Sequence, residues 1–524
     1  MYQKNGRSLV AAADGPRRRL KILILHSNAD LAQTRRTSFN HAFCLVKYAP
    51  WNEYELHSFG EPLAPRLRRE RFDAILLDTT FLCWRWALPH EQYLERLLSE
   101  YAFVGDSEAV KIALPQDEYD HTVQLDDWLA SWRVDLIYSV CYAHRDVFYL
   151  KASQHAEIVE GLTGYIDDAD IAMMRRFARP FADREIDVGY RARNLPPYFG
   201  RFSRLKAEIG ERFLAPAQGF GLRVDISLDP KDVLVGDDWL KFLGNCRFTL
   251  GCESGSSLLD PRGEIRAACG AYLREHPEAG FDEVEAACFP GQDMQRIFSA
   301  ISPRLFEAAL AGSCQVLVPG HYLGVLHPDE HYIPLAADFS NIAAVLDELR
   351  DWRRAGQRAE ACRKVLLGDQ RLSYRGFVAD LLQRIENRLD ARGLAVQPVA
   401  MPESAAEAAH ELAAFVVRTA VNRASDLQEV RVTTLIAQEN VTKEIARLNA
   451  LLSNPPARLL GRMILTKLRA HVSRCIKQVS GVTGPVRPPL IRFREGVGAL
   501  LMRIAPEIRH VSGAIKRSGR RWFS

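Results

Sequence analysis

The chain has 524 residues, 47% of them hydrophobic and 26% charged, with 33 Gly and 26 Pro, which excludes a single small module and a wholly disordered chain and calls for two to four domains. Ten cysteines form no C-x-x-C pair, so neither a structural zinc framework nor a disulfide scaffold is signalled, and they read as reduced thiols of a cytosolic protein. Net charge is +4, but residues 458–524 carry fifteen Lys and Arg against Glu495 and Glu507, a net of +13 on a mildly acidic body; such asymmetry implies a polyanionic surface at that end.

Residues 1–20 read as a flexible leader without the apolar core of a secretion signal. No apolar run approaches the roughly 20 residues that cross a bilayer. The expected location is the cytoplasm. Short apolar runs at Ile22–Leu25, Ala74–Leu77, Val110–Leu114 and Leu136–Val140 predict strands buried on both faces. Helical stretches such as EQYLERLLSEY and LDDWLASW lie between them, so residues 21–185 predict a first parallel α/β domain. The pattern restarts in REIDVGYRARNLPP, LRVDISL, CRFTLGCESG, CQVLVPG and YIPLAADFSN, separated by the helices SRLKAEIGERFLA, MQRIFSAI, SPRLFEAALAG and IAAVLDELRDW. This predicts a second α/β domain over 186–395. Open parallel sheets bind ligands beyond the carboxyl ends of their strands, so two in tandem make a cleft where those ends face.

From about 400 the strand signal stops. AAEAAHELAAFVVRTAV and TKEIARLNALLS read as helices, and after Asn454-Pro455-Pro456 a stripe of Leu460, Ile464, Leu468, Val472, Cys475 and Val479 runs beside Arg462, Lys467, Arg469, Arg474 and Lys477. Residues 396–524 thus predict a helical basic extension. Its stripe suits an anionic membrane surface, the scarcity of aromatics favours lipid over nucleic acid, and packing on the body is the third reading.

The segment SPRLFEAALAGSCQVLVPG (302–320), with Arg304, Glu307 and Ala311-Gly312, resembles the donor-binding segment of group 1 glycosyltransferases of the GT-B fold. The resemblance implies two Rossmann-like domains facing a cleft, with the Glu307 carboxylate accepting hydrogen bonds from the ribose hydroxyls of a nucleotide sugar. A second Glu that many relatives carry eight residues earlier is here Ser299. IDVGYRARNLPPYFGRFSRLKAEIG resembles the opening of the same donor domain, which makes Arg191, Arg193, Arg201 and Lys206 candidates to neutralise a diphosphate without metal; solvated surface charge is the alternative. In LGCESGSSLLD, Gly251, Glu253, Ser254, Gly255 and Ser256 suit either phosphate contact or a plain turn. His321 and Tyr322, just past a strand, are candidates for the donor sugar.

In the first domain, IALPQDEY is similar to glycosyltransferase-like proteins of bacterial surface-polysaccharide regions. Asp117, ahead of Glu118, Asp120 and His26, is the candidate base for an acceptor hydroxyl, with helix capping as the alternative. Asp168-Ala169-Asp170 satisfies D-x-D but opens a helix, where acids suit the dipole. HPDEHY (327–332) reads as a loop more simply than as a metal site. The sequence therefore points to a metal-independent glycosyltransferase with no further cofactor, acting on a glycan or lipid-linked acceptor and peripheral to the inner membrane face. A sugar-nucleotide epimerase or hydrolase of the same fold, and a non-catalytic scaffold of polysaccharide assembly, are the alternatives.

Overall fold

The structure is a computed structural model that describes residues 17–28, 36–61, 63–394 and 398–399. The helices expected between 405 and 452 and the basic stretch 458–524 lie outside the described residues, as does most of the leader.

The first lobe is a six-stranded parallel sheet of β1 (Lys21–His26), β2 (Glu53–Ser58), β3 (Ala74–Leu77), β4 (Val110–Ala113), β5 (Leu136–Ser139) and β6 (Glu157–Glu160), in the order β2-β1-β3-β4-β5-β6. Every residue of β3, β4 and β5 is buried, which is why these strands read as apolar runs, interrupted in β4 by Lys111. β2 (EYELHS) and β6 (EIVE) lie at the two edges, and their charged residues hid them from that signal. Helices α1 (Arg36–Tyr48) and α2 (Thr122–Ser131) cover the sheet, and α3 (Asp168–Phe177) leads to the second lobe.

The second lobe repeats the topology. Strands β7 (Ile186–Arg191), β8 (Val224–Ser227), β9 (Cys246–Gly251), β12 (Cys314–Leu317) and β13 (Ile333–Pro334) form a parallel sheet in the order β13-β12-β9-β7-β8. Both sheets reverse direction of winding after their first strand, between β1 and β3 and between β7 and β9; such switch points open crevices at the strands' carboxyl ends. Helices α4 (Gly200–Gly219), α5 (Asp237–Gly244) and α8 (Pro303–Leu310) flank the second sheet.

Three features depart from the sequence reading. MQRIFSAI is not a helix: its end is β11 (Phe298–Ala300), antiparallel to β10 (Ser254–Ser256). Phe298 and Ala300 are buried at the two-residue period of a strand. Gly255, at φ 133°, makes that pairing possible, since a Cβ there would stand 1.8 Å from the Phe298 carbonyl. Second, α6 (Glu264–Glu275) and α7 (Phe281–Cys288) form a helical insert between β10 and β11, with its own small core of Leu258, Ile265, Cys269, Phe281, Val284 and Phe289. Third, after α9 (Trp352–Gly368), helix α10 (Tyr374–Ala391) crosses back to the first lobe. Its Phe377, Leu381, Ile385 and Leu389 share one core with Ile22, Ile24 and Leu76, so the first lobe includes a segment that sequence assigned to the second.

Candidate active site between the lobes

The lobes meet through main-chain hydrogen bonds, Tyr142 N to Ser299 O (3.1 Å), His121 N to Asp260 O (2.8 Å) and Ile166 N to Leu372 O (2.7 Å). Between them a small pocket of about 20 Å³ is lined by Arg36, Thr37 and Asn40 of α1, Tyr165–Asp167, Asp170 of α3, Pro303, Phe306, Glu307 and Leu310 of α8, and Tyr374 of α10.

Glu307 lies in the second turn of α8, whose Leu305, Phe306, Ala308 and Ala309 face the interior. That leaves the Glu307 side chain at the pocket wall. Its Oε2 accepts the indole N–H of Trp239, from α5, at 2.8 Å. Burial raises its pKa, opposed by Trp239, Arg304 and Arg36. Asp170 also lines the pocket. Its carboxylate meets Arg36 Nε at 2.5 Å, yet burial lifts its pKa to about 7, with Asp167 and Glu307 adding to the rise against Arg36. Asp167 caps α3 by accepting the Ala169 N–H at 2.8 Å and pairs with Lys47 at 2.7 Å. The D-x-D carboxylates are thus held by cations, Asp168 by Arg375 and Asp170 by Arg36.

On α4, where it faces the switch point of the second sheet, Lys206 is half-buried. Its ammonium donates to Ser254 Oγ at 2.7 Å and, among the described residues, makes no ion pair. Burial pushes its pKa below the ordinary lysine value, and Arg304 lowers it further, while Asp117 acts from the first lobe in the opposite sense. Arg304 is exposed; its guanidinium donates to Arg191 O at 2.6 Å and lies 5.9 Å from the Trp239 ring centre. Glu253 is 8% exposed and accepts the Tyr322 N–H at 2.8 Å; burial raises its pKa, opposed by the Tyr322 and His321 backbone and by Ser299. Gly320 permits this, because a Cβ there would come within 2.8 Å of the carboxylate.

Across the cleft, Asp117 is half-buried on the loop after β4, in the left-handed region at φ 48°, which a non-glycine residue holds only when its surroundings impose it. They do: the fully buried Arg85 guanidinium donates to the carbonyls of Gln116 (2.7 Å) and Asp117 (3.0 Å). Tyr119 donates its hydroxyl to Asp117 Oδ1 at 2.6 Å, and its own ring sits 6.1 Å from both Phe199 and Phe298 of the second lobe.

Several candidates fall elsewhere. Tyr322 is 0% exposed with its hydroxyl donated to Val318 O, so only its backbone N–H reaches the site and its ring does not meet a sugar. Arg191 pairs with Asp225 at 2.7 Å and lies over Phe242, and Arg201 pairs with Asp282 and Glu285; internal carboxylates already neutralise both. Arg193 is exposed. His321 is exposed, its ring 4.8 Å from that of Tyr142. His26 is 6% exposed, accepting the Asn28 N–H and set edge-on to Phe43. Glu118 is buried and accepts the Tyr149 hydroxyl and Val140 N–H, while Asp120 binds His121 and Arg266; both hold structure together. In HPDEHY, His331 Nδ1 accepts the His327 N–H at 3.0 Å. Among the described residues no group of three or more His, Cys, Asp and Glu is gathered for a metal. Sequence reasoning missed Arg36, Asn40 and Trp239, which no local pattern marks because their partners are far away in the chain.

No family model matches the chain, and no curated protein matches it. Among solved structures it is similar to Anabaena Alr3699/HepE in complex with UDP-glucose, at 12% identity over 71% of this chain and 100% of that one, with a TM-score of 0.38. It is similar to a glycosyltransferase from Rickettsia africae at 9% identity, over 71% and 99% of the two chains, with a TM-score of 0.39. An alpha-glucosyltransferase in complex with UDP and a 13-mer DNA shares 11% identity over 71% and 100%, with a TM-score of 0.40.

Proposed function

We propose that the chain is a glycosyltransferase that moves a sugar from a nucleotide-diphosphate donor on the second lobe to an acceptor hydroxyl presented from the first. One observation carries this reading: the half-buried Lys206 ammonium at the sheet's switch point, bonded to Ser254 and without an ion pair. A desolvated cation without an ion pair is unfavourable until an anion arrives, and a diphosphate is such an anion. Arg304 adds fixed positive charge beside it. Glu307, held on one side by Trp239, keeps acceptor capacity toward the pocket, which suits a ribose diol.

In this mechanism the bond from the sugar to the diphosphate breaks as the bond to the acceptor oxygen forms. Negative charge grows on the departing diphosphate, and Lys206 with Arg304 stabilises it without need of a metal. Asp117, oriented by Tyr119 and Arg85, takes the acceptor's proton. The two lobes fix the reactants' orientation. The acceptor in this reading is a glycan or a lipid-linked glycan, and residues 458–524 bring the chain to the inner membrane face.

Calorimetry with a panel of nucleotide sugars tests the donor site. Glu307→Ala is expected to weaken the tightest donor by roughly tenfold or more, about 1.4 kcal/mol, with the far-ultraviolet circular dichroism unchanged. Undiminished affinity would overturn the reading. Incubated without acceptor, the donor is expected to persist; prompt epimerisation or nucleotide release would instead assign an epimerase or hydrolase.

A further inference from the structure

The insert of α6 and α7 fastens the two lobes together at separate points. On α6, Arg266 NH1 pairs with Asp120 Oδ2 of the first lobe at 2.5 Å, and its guanidinium lies 5.5 Å from the Trp86 ring centre. The turn before α6 adds the hydrogen bond from His121 N to Asp260 O. On α7, Asp282 and Glu285 take Arg201 NH2 at 2.8 and 2.5 Å, at the start of α4 in the second lobe. Arg201 and Arg204 both lie 4.7 Å from the Phe281 ring centre. The second lobe holds α6 as well, since the Arg266 guanidinium lies 5.0 Å from the Tyr198 ring centre, so the insert touches both lobes as one unit whose rigidity depends on what joins its two helices.

Two thiols stand at that joint. Cys269, three residues past Arg266, is fully buried in the insert's core, and Cys288, three residues past Glu285 and last in α7, is half-exposed beside it. Cys288 packs against the core that holds Cys269 and is among the neighbours that raise the Cys269 thiol's pKa. Both are free.

We infer that Cys269 and Cys288 form a reversible disulfide that locks α6 to α7 and stiffens the insert. The oxidant is a peroxide. The exposed Cys288 thiolate attacks a peroxide oxygen, giving a sulfenic acid and, with hydrogen peroxide, one water. The Cys269 sulfur then attacks the sulfenic sulfur, and its proton leaves with the displaced hydroxide as a second water; the two sulfurs have lost two electrons together. Burial and the neighbouring Cys288 raise the Cys269 thiol to about 12, so Cys288 is the first to react and Cys269 the resolving partner. The inference stands apart from the proposed transferase activity, since it uses none of the donor-site residues.

The experiment treats the full chain with hydrogen peroxide, blocks remaining thiols with a maleimide and maps the peptides. The expected result is loss of two titratable thiols, a linked peptide joining residues 269 and 288, and its disappearance on adding a reductant. Cys288→Ser removes the link, whereas Cys83→Ser leaves it. Recovery of both thiols free, or Cys288 carried to the sulfinic acid with no link, would overturn the disulfide. Amide hydrogen exchange at residues 119–123 and 258–262 reads the lock: it slows on oxidation of the wild type and not of Cys288→Ser, and equal rates in both redox states would overturn the locking role.

Discussion

Trp239 donates its indole N–H to the Glu307 carboxylate at 2.8 Å, joining α5 to α8 at the wall of the interlobe pocket. A single hydrogen bond thereby sets the direction of the side chain proposed for the donor ribose. Trp239→Phe keeps most of the ring's packing against Phe242 and removes the donor. Donor affinity is expected to fall by roughly tenfold, about 1.5 kcal/mol for a bond to a charged group, with little change in melting temperature. Calorimetry that finds the same affinity in both proteins would separate Trp239 from donor binding.

Lys206 offers a sharper test because it discriminates between ligands. Lys206→Met keeps the aliphatic stem and removes the charge beside Ser254. Wild-type protein is expected to prefer a nucleoside diphosphate to the parent nucleoside by a wide margin, and the variant to lose most of that preference while still binding the nucleoside. A preference left intact would place the diphosphate elsewhere.

Asp117→Asn preserves the side chain's shape and its contact with Tyr119 but cannot accept a proton. The expected result is a fall in kcat of about 10²–10⁴, with donor affinity unchanged. A variant as active as the wild type would remove Asp117 as the base.

Asp170 should leave a signature in stability rather than turnover. Burial, with Asp167 and Glu307 and against Arg36, raises its carboxyl from 3.8 to about 7. The folded chain therefore holds a proton in this interval that the unfolded chain releases. This contribution to stability is complete below the ordinary carboxyl value and is lost as pH rises through about 7. Asp170→Asn has no such proton to lose. Scanning calorimetry is expected to show the wild-type melting temperature declining between about pH 4 and pH 7 more steeply than that of the variant; parallel curves would contradict the shift.

The reading of the sequence was strongest where physics is local. Strands β1, β3, β4 and β5 are covered on both faces, so their apolar runs stood out, as did the D-x-D motif at the start of a helix rather than in a loop. It failed where an element takes its identity from a distant partner. Phe298–Ala300 is a strand because Ser254–Ser256 lies beside it, and Tyr322 turns inward because Val318 takes its hydroxyl. Among the candidates, Lys206, Ser254 and Arg304 gather around one switch point, whereas Arg191 and Arg201 are neutralised by Asp225, Asp282 and Glu285. Residue type alone could not sort these cations, because each differs from the others only in whether an acid stands nearby.

By itself the amino-acid order determined two successive α/β lobes and a crevice at their strand ends, since short apolar runs and amphipathic spacings act over a few residues. The tertiary structure alone decided that α10 returns to complete the first lobe's core, that α6 and α7 bridge the lobes, and that Trp239 and Arg36 reach the pocket. The reason is separation along the chain: Asp120 and Arg266, or Trp239 and Glu307, become neighbours only when the whole chain packs, and packing, not composition, then sets which charges find a partner.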